Sequence, residues 1–215
     1  MLRSEHIAYN LTFPLLQAQK NAPSELCSFI SRIVDVPIDS VKKVRVEYAS
    51  KRHKRDLLDD NTSFDMYVEA LSNGICIGIG IEIKYTEKSY PYGKTERSRM
   101  EDPNSEYNRL TRETKLFIKG AELKLRAKPL KQLWRNHLLG IKKVEIKEVS
   151  EFYSIHLYPE GNDYQHQVAT EYQSYLLPEH KNTFVPLTLE QWVNIGKDTF
   201  SQTAWLDYLE NRYLT

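Results

Sequence analysis

The sequence predicts a mixed α/β fold that reads, in chain order, helix, three strands, helix, strand and then mostly helices. Three observations support this prediction. An Asn73-Gly74 dipeptide separates two runs rich in β-branched and aromatic residues, residues 41–48 and 152–158 alternate between apolar and polar side chains, and apolar residues recur at helical spacing in the flanking segments. The strands are connected too unevenly for a Rossmann fold, so we expect a mixed sheet flanked by helices.

The chain of 215 residues is long enough for one substantial core, and we expect a single domain. Its parts are an N-terminal arm over residues 1–23, a core over 24–158 and a mainly helical extension over 159–215. Thirty basic and 29 acidic residues give a net charge of +1, so any surface for a polyanionic partner has to be local. No apolar run approaches the roughly 20 residues that cross a bilayer, which predicts a soluble, cytoplasmic protein without a membrane partner.

The first half of the chain supplies a helix and three strands. Residues 1–23 are expected to form an irregular arm or a short helix. Ser24 is a candidate N-cap for a helix over residues 25–35, and residues 41–48 then form a half-buried strand. The apolar stripe of that helix comprises Leu26, Phe29, Ile30 and Ile33. After the hairpin that follows, residues 85–105 have little periodicity and are predicted to form a loop.

The second half of the chain is predicted to be largely helical. Residues 104–120 have a helical pattern, and a further helix is expected to start near Pro129 and to stop at Gly140, a favoured C-terminal residue. The remaining predicted elements are a strand over 152–158, a helix over 164–177, a short extended piece over 183–186, and helices over 188–196 and 202–214.

The hairpin around Asn73-Gly74 organises the rest of the prediction. This dipeptide suits a two-residue type I′ turn, because both central residues of that turn need a positive φ. If these two residues form the loop, cross-strand partners have numbers that sum to 147, and Asp65 lies opposite Glu82. Opposed Cβ atoms of an antiparallel pair are roughly 4.5–5.5 Å apart, and the strand period of two places Lys84 on the same face.

The two faces of the hairpin have different character. One is apolar and is predicted to pack in the core; its residues are Phe64, Met66, Val68, Ala70, Ile75, Ile77, Ile79, Ile81 and Ile83. The other carries Gly78 and Gly80 beside the acidic residues. Glycines leave no side chain in front of a strand, so a helix or a ligand backbone could approach closely there. We therefore expect an open acidic pocket on this second face.

Two facing carboxylates destabilise a strand pair unless something compensates their charge, and a divalent cation is the usual answer. The Glu-x-Lys spacing alone is a weak signal, since it also occurs at Glu122-Leu123-Lys124 and Glu145-Ile146-Lys147. Only Glu82-Ile83-Lys84 follows a hairpin that presents an aspartate opposite its glutamate. The alternative interpretation of this trio is a salt-bridged strand pair without a function.

The segment Phe64-Asp65, the hairpin and Gly80-Ile81-Glu82-Ile83-Lys84 together resemble the D…(D/E)-x-K signature of the PD-(D/E)XK nuclease superfamily. The predicted element order also resembles the restriction-endonuclease-like αβββαβ core of that superfamily, with additional C-terminal helices. The later segment Gln132-Leu-Trp-Arg135-Asn-His137 extends the resemblance to a bacterial family of restriction-endonuclease-like proteins. No proline precedes Asp65, which removes no ligand because proline carries none.

The resemblance implies hydrolysis of nucleic-acid phosphodiesters with Mg²⁺ or Mn²⁺ as cofactor. Asp65, Glu82 and the main-chain carbonyl of Ile83 would be the metal ligands, since Mg²⁺ prefers a few hard oxygen ligands plus water. Lys84 would hold the attacking water or stabilise the charge that develops on the phosphate.

Two further residues complete the predicted catalytic set. Gln132 would orient the substrate or Lys84. A place on the polar face of its helix, without a catalytic role, explains this residue equally well. Glu47, on the preceding strand, is the candidate for the additional early acid that occurs in many relatives, although a surface role would explain it almost as well.

Basic residues after the hairpin are interleaved with tyrosines, which suits base stacking and phosphate contacts. The predicted nucleic-acid contacts are Lys88, Lys94, Arg97, Arg99 and Arg135. An ordinary surface loop explains the first four nearly as well.

Our leading hypothesis is a metal-dependent nuclease, acting on DNA in bacterial restriction, defence or repair. The alternative is a non-catalytic nucleic-acid-binding or interaction module that retains the nuclease fold. Enzymes that cut both strands often work as dimers, so a homodimer is a further expectation. No Gly-x-x-x-x-Gly-Lys loop and no Gly-x-Gly-x-x-Gly after a strand is present to support another phosphate-handling enzyme.

Overall fold

The computed structural model of the chain describes residues 4–86 and 93–214. Its helices are α1 (Ser4–Asn21), α2 (Pro23–Val34), α3 (Lys94–Glu101), α4 (Glu106–Glu113), α5 (Glu122–Leu125), α6 (Lys131–Glu145), α7 (Asp163–Ser174), α8 (Leu189–Thr199) and α9 (Ala204–Tyr213). Its strands are β1 (Ser40–Tyr48), β2 (Phe64–Ser72), β3 (Ile75–Ile83), β4 (Glu151–Tyr158) and β5 (Phe184–Thr188). Short 3₁₀ helices lie at Lys54–Asp56 and Pro178–Thr183.

The strands form one mixed sheet whose spatial order follows the chain, β1-β2-β3-β4-β5, within the described residues. The β1–β2 and β2–β3 pairs are antiparallel, whereas the β3–β4 and β4–β5 pairs are parallel. A parallel pair needs a long crossover, and the helices from α3 to α6 supply the one between β3 and β4. The predicted sheet flanked by helices is confirmed, and the extended piece at 183–186 is an edge strand of it.

Apolar side chains pack in two clusters, one on each face of the sheet. On the first face, Met66, Val68 and four isoleucines of β3 meet α1, α2, α8 and α9. Ile75, predicted for the same core face, is 40% exposed beside the turn. On the second face, Tyr67 and Phe152 meet side chains from α4, α6 and α7. Buried apolar surface of this extent is the main stabilising term of a domain this size.

The N-terminal segment is part of the core, and it forms a long helix in place of the irregular arm or short helix predicted for residues 1–23. Helix α1 has 18 residues despite Pro14 in its interior. Four of its side chains are fully buried: Ile7, Ala8, Leu11 and Leu15. Packing of this apolar stripe against the sheet outweighs the local cost of a proline, since tertiary burial supplies most helical stability in proteins. The predicted stripe of α2 is also buried, but Ala22, not Ser24, precedes its first residue, Pro23.

The C-terminal region is also integrated with the rest. Trp192 of α8 and Leu206 of α9 are fully buried in the first cluster, and Phe29 of α2 packs edge-on against Trp192 at 4.9 Å between ring centroids. Residues 159–215 therefore complete the core rather than extend it.

Phe64 does not lie on the predicted face of the hairpin, and the two glycines of β3 do not leave the predicted open space. Phe64 lies on the second face, where it stacks on Tyr67 at 5.5 Å between ring centroids. The ladder between β2 and β3 ends at Met66 and Ile81, whereas Phe64 still pairs with Tyr48 of β1, next to Glu47 with its positive φ. The space above Gly80 is filled by Phe64 and Phe152. The glycines therefore admit aromatic core residues, not a ligand, at their own positions.

Three helix boundaries also differ. The predicted loop over 85–105 contains helix α3, and the predicted helix over 104–120 ends at Glu113. Helix α6 continues five residues past Gly140. This glycine does not stop the helix; it lies where a Cβ would overlap the ring of Phe152 in β4. Close packing of helix on sheet, and not a change of backbone direction, explains Gly140.

Candidate functional site

The hairpin has the predicted register, with cross-strand pairs from Ser72–Ile75 to Met66–Ile81. Asp65 and Glu82 would be the next pair, but the main-chain ladder has already ended there. Instead, the carboxylate of Asp65 accepts a hydrogen bond from the main-chain N–H of Ile83 at 2.7 Å. A side chain thus occupies the position of a main-chain partner, at the end of the hairpin away from the turn.

Glu82 is the buried acid of the site and is 2% exposed. One carboxylate oxygen, Oε1, lies 2.6 Å from Nζ of Lys84, which is itself buried. The other, Oε2, accepts a hydrogen bond from the side-chain amide of Asn136. A buried carboxylate is costly unless it is paired and hydrogen-bonded. Asn136 hydrogen-bonds Oε2 and Lys84 forms an ion pair with Oε1, but Oε1 accepts no hydrogen bond among the described residues.

Asp65 is electrostatically linked to the other predicted site residues. Burial, and next the negative charge of Glu82, raise the pKa of the Asp65 carboxyl well above its ordinary value. The Ile83 N–H and the charge of Lys84 act in the opposite direction, and Glu47 raises the pKa further. Net crowding of negative charge remains without an added cation, which is the condition expected of carboxylates that hold a divalent metal.

The main-chain carbonyl of Ile83 is oriented toward this site. Successive residues of a strand direct their N–H and C=O groups to alternate sides, and both groups of one residue point to the same side. The N–H of Lys84 donates to Leu157 on the β4 side, whereas the N–H of Ile83 donates to Asp65. The Ile83 carbonyl therefore points to the side on which Asp65 lies.

These donors fit a hard divalent cation. Two carboxylates and a carbonyl are oxygen ligands of the kind that Mg²⁺ and Mn²⁺ prefer. Each carboxylate oxygen has two lone pairs, so Glu82 can bind a cation while it keeps its hydrogen bond to Asn136. In the described part of the chain, no three His, Cys, Asp or Glu side chains are close enough to hold one metal. The remaining ligands would therefore be water, as is usual for Mg²⁺.

Glu47 lies at the edge of the site. It is exposed, has a φ of 46° and accepts a hydrogen bond from the hydroxyl of Ser63 at 3.3 Å. Its charge acts on Asp65, but it is not part of a three-acid cluster among the described residues. Its predicted catalytic role therefore stays a prediction.

A small cavity adjoins Lys84 and is lined by Pro129, Gln132, His156, Tyr164 and Gln165, among others. Its volume of about 10 Å³ is close to the minimum that holds one water molecule. Gln132, predicted to act on Lys84 or on the substrate, is thus beside Lys84.

His156 is the buried wall of that cavity. It is the partner of Glu82 in the parallel register of β3 and β4, and its Nε2 lies 3.1 Å from Oε1 of Gln165. Its Nδ1 has no hydrogen-bond partner among the described residues. Burial, and then the charge of Lys84, lower the pKa of His156 to about 3, so the imidazole is neutral near pH 7.

Asn136 and His156 were not selected from the sequence. Asn136 follows Gln132 by four residues, so both project from one face of α6, and this spacing was a signal that could have identified it. His156 required the β3–β4 register, because no spacing within the sequence relates residue 156 to residue 82.

The predicted nucleic-acid contacts have different surroundings. Lys94 and Arg97 are exposed on α3, and Arg99 of the same helix forms an ion pair with Asp59 at 3.2 Å. Lys88 lies outside the described residues. The basic residues of α3 are thus at the surface, where they could meet a phosphate.

Arg135 does not fit its predicted phosphate contact. Its guanidinium donates to Asp60 at 2.9 Å, to Thr62 at 2.7 Å and to the hydroxyl of Tyr107 at 3.1 Å, and it forms an ion pair with Glu96. Its side chain is 17% exposed. Burial lowers the pKa of Arg135, but Tyr107, Asp60 and Glu96 together raise it above its ordinary value. The guanidinium therefore ties α3, α4 and the segment before β2 to α6, which is a structural role.

No helix in the described part of the chain is long and apolar enough to cross a membrane. Comparison with curated proteins and with solved structures found no match. A family model described as PD-(D/E)XK nuclease superfamily matches residues 1–215, the whole chain. The match, the mixed sheet and the acidic pair beside a lysine agree with one another. The chain therefore belongs to the PD-(D/E)XK nuclease superfamily.

Proposed function

We propose that this protein is a metal-dependent nuclease that hydrolyses phosphodiester bonds of DNA in bacterial restriction, defence or repair. One observation carries the proposal: the hairpin ends where Asp65, Glu82 and Lys84 meet, in a chain of the nuclease superfamily. The carbonyl of Ile83 completes the ligand set that would hold Mg²⁺ or Mn²⁺. When bound, such a cation polarises the scissile phosphate and lowers the pKa of bound water.

The side chains of the site would divide the remaining work. Lys84 carries a compact positive charge that can hold the attacking water or stabilise the charge that develops on the phosphate. Asn136 fixes one oxygen of Glu82 and so limits the rotation of the carboxylate. Neutral His156 and Gln132 border Lys84 without adding a positive charge that would repel it.

A cleavage assay tests this function. Wild-type protein is incubated with linear, circular and single-stranded DNA in Mg²⁺ or Mn²⁺, beside Lys84→Ala and Glu82→Gln. Lys147→Ala is the matched control, because Lys147 belongs to a Glu-x-Lys segment with the same spacing and is exposed. We expect cleavage by the wild type and by the control, and a loss of at least 100-fold in both site variants.

Two results would argue against it. Cleavage that survives in Lys84→Ala and Glu82→Gln would come from a contaminant or from another site. DNA binding without cleavage, and without Mn²⁺ uptake by calorimetry, would instead support the non-catalytic binding module.

A further inference from the structure

A shallow groove of about 210 Å³ lies between α3 and the segment that precedes α6. Its lining comprises Arg97, Met100, Glu101, Leu123, Arg126 and Ala127. We propose that this groove binds the base and phosphate of one unpaired nucleotide next to the bond that is cut. The proposal rests on the nuclease function above and specifies the form of its substrate.

The groove is close to the candidate catalytic residues. Ala127 lines the groove and Pro129 lines the cavity of Lys84, so their Cα atoms are at most about 7.6 Å apart along the chain. On the other side, Glu96, the neighbour of Arg97, forms an ion pair with Arg135 of α6. The same helix supplies Gln132 and Asn136 to the site. A strand held at Lys84 can therefore reach the groove with its adjacent nucleotide.

The lining of the groove combines an apolar surface with positive charge. Met100 is buried beneath it, and Leu123 is 60% exposed at its side. Such an exposed leucine beside the exposed Arg97 offers a base an apolar contact and its phosphate a counter-charge. The volume is below the roughly 300–1,000 Å³ of pockets for drug-sized ligands, which suits a single base rather than a larger molecule.

The contact requires an unpaired nucleotide. In a duplex each base face is covered by its stacked neighbours, so a base packs on Leu123 only after it has left the stack. Single strands, flaps and frayed ends provide such a base at little cost, whereas the interior of a duplex does not. Glu101 accepts hydrogen bonds only, and it would favour a base with an exocyclic amino group, cytosine above all.

Binding is measured by fluorescence anisotropy in EDTA with labelled oligo-dC, oligo-dT, a flap and a blunt duplex, and cleavage of the same substrates is measured in Mg²⁺. Leu123→Ala and Arg97→Ala should each weaken binding to the single strand and the flap by about tenfold and leave the blunt duplex little changed. Arg97→Ala should also reduce the salt slope of single-strand binding by about 0.7, whereas Leu123→Ala should not. Glu101→Gln should reduce the ratio between the affinities for oligo-dC and oligo-dT.

The controls are matched by exposure and position. Phe13→Ala removes a side chain that is 63% exposed on α1, and Arg212→Ala removes an exposed arginine of α9; both should bind as the wild type does. If the wild type cuts DNA and the groove variants equal these controls, the groove is not a nucleotide site, although the nuclease function stands. If the wild type neither binds nor cuts any of the substrates, both proposals are wrong.

Discussion

The carboxylate of Asp65 accepts a hydrogen bond from the main-chain N–H of Ile83 at 2.7 Å, just beyond the last ladder pair of the hairpin, Met66–Ile81. The contact satisfies a donor that β2 no longer reaches, and it holds the Asp65 carboxylate beside that of Glu82. One hydrogen bond thus satisfies the main-chain donor at the end of the hairpin and also holds two negative charges close together. Its two effects on stability have opposite signs, and substitution can separate them.

Asp65→Asn should stabilise the metal-free protein. Asparagine keeps an oxygen acceptor for Ile83 and removes the charge that burial and Glu82 disfavour, as the raised pKa of Asp65 indicates. We expect an increase of the order of 1 kcal/mol, or roughly 2–4 °C in Tm for a chain of this size, together with loss of Mn²⁺ binding. Thermal unfolding in EDTA at pH 7.5 measures the first effect and calorimetry the second.

The pH dependence of this effect follows from the sign of the shift. A carboxyl whose folded pKa is raised is favoured in its protonated form, so its unfavourable contribution appears as the pH rises from the ordinary range of Asp through the raised pKa. The Tm difference between Asp65→Asn and wild type should therefore shrink at acid pH. Asp65→Ala is the control: it removes the acceptor of Ile83 as well, and it should be less stable than Asp65→Asn. A wild type more stable than Asp65→Asn at pH 7.5 would contradict the prediction.

Asn136→Ala should weaken metal binding although Asn136 is not one of the proposed metal ligands. The substitution removes the donor that fixes Oε2 of Glu82, and partners of metal ligands typically contribute 10–100-fold in affinity. We expect a decrease of about tenfold in Mn²⁺ affinity by calorimetry. Asn108→Ala is the matched control, because Asn108 is equally buried but donates to the main chain of Met100 and Asp102. An equal decrease in both variants would show a general loss of stability instead.

Arg135→Ala should lower the stability of the fold and leave the salt dependence of DNA binding unchanged. Removal of the guanidinium leaves Asp60, which is 10% exposed, without its ion-pair partner, and breaking a buried ion pair costs about 3–5 kcal/mol. Chemical unfolding measures the loss. The opposite result would support the phosphate contact predicted from the sequence. In that case the slope of DNA affinity against salt concentration would fall by the amount expected for one phosphate contact, and stability would be unchanged.

His156 should stay neutral across the pH range in which a nuclease works. Its pKa of about 3 follows from burial and from the charge of Lys84. Nitrogen chemical shifts of its imidazole should therefore be those of a neutral ring from pH 5 to pH 8. Titration of this ring between pH 5 and pH 8 would contradict the prediction, because a buried ring beside the charge of Lys84 should not take up a proton in that range.

The sequence predicted the register of the hairpin better than it predicted the boundaries of the elements around it. A two-residue turn fixes a register, so Asn73-Gly74 was enough to relate Asp65 to Glu82 across a hairpin. The residues of other elements that line the cavity beside Lys84 were harder to find. Gln132 was selected from the resemblance, whereas His156 depended on a parallel pairing that loop lengths do not fix.

Local patterns failed where tertiary packing outweighs them. Pro14 and a polar composition obscured the helix α1, although its buried stripe meets the sheet. Arg135 had the charge of a phosphate contact, and its partners Asp60 and Glu96 are 75 and 39 residues away in the chain. No periodicity reports such long-range ion pairs.

Gly140 and Gly80 face the ring of Phe152 from opposite elements, and neither leaves room for a methyl group. Helix α6 therefore packs against the sheet at a separation that the Phe152 ring limits. Asn136 is one turn before Gly140 on the same helix face, so its reach to Glu82 depends on that separation. A methyl group at residue 140 would therefore push α6 away from Phe152 and lengthen the hydrogen bond between Asn136 and Glu82. The size of the Phe152 ring thus controls how firmly the Glu82 carboxylate is held.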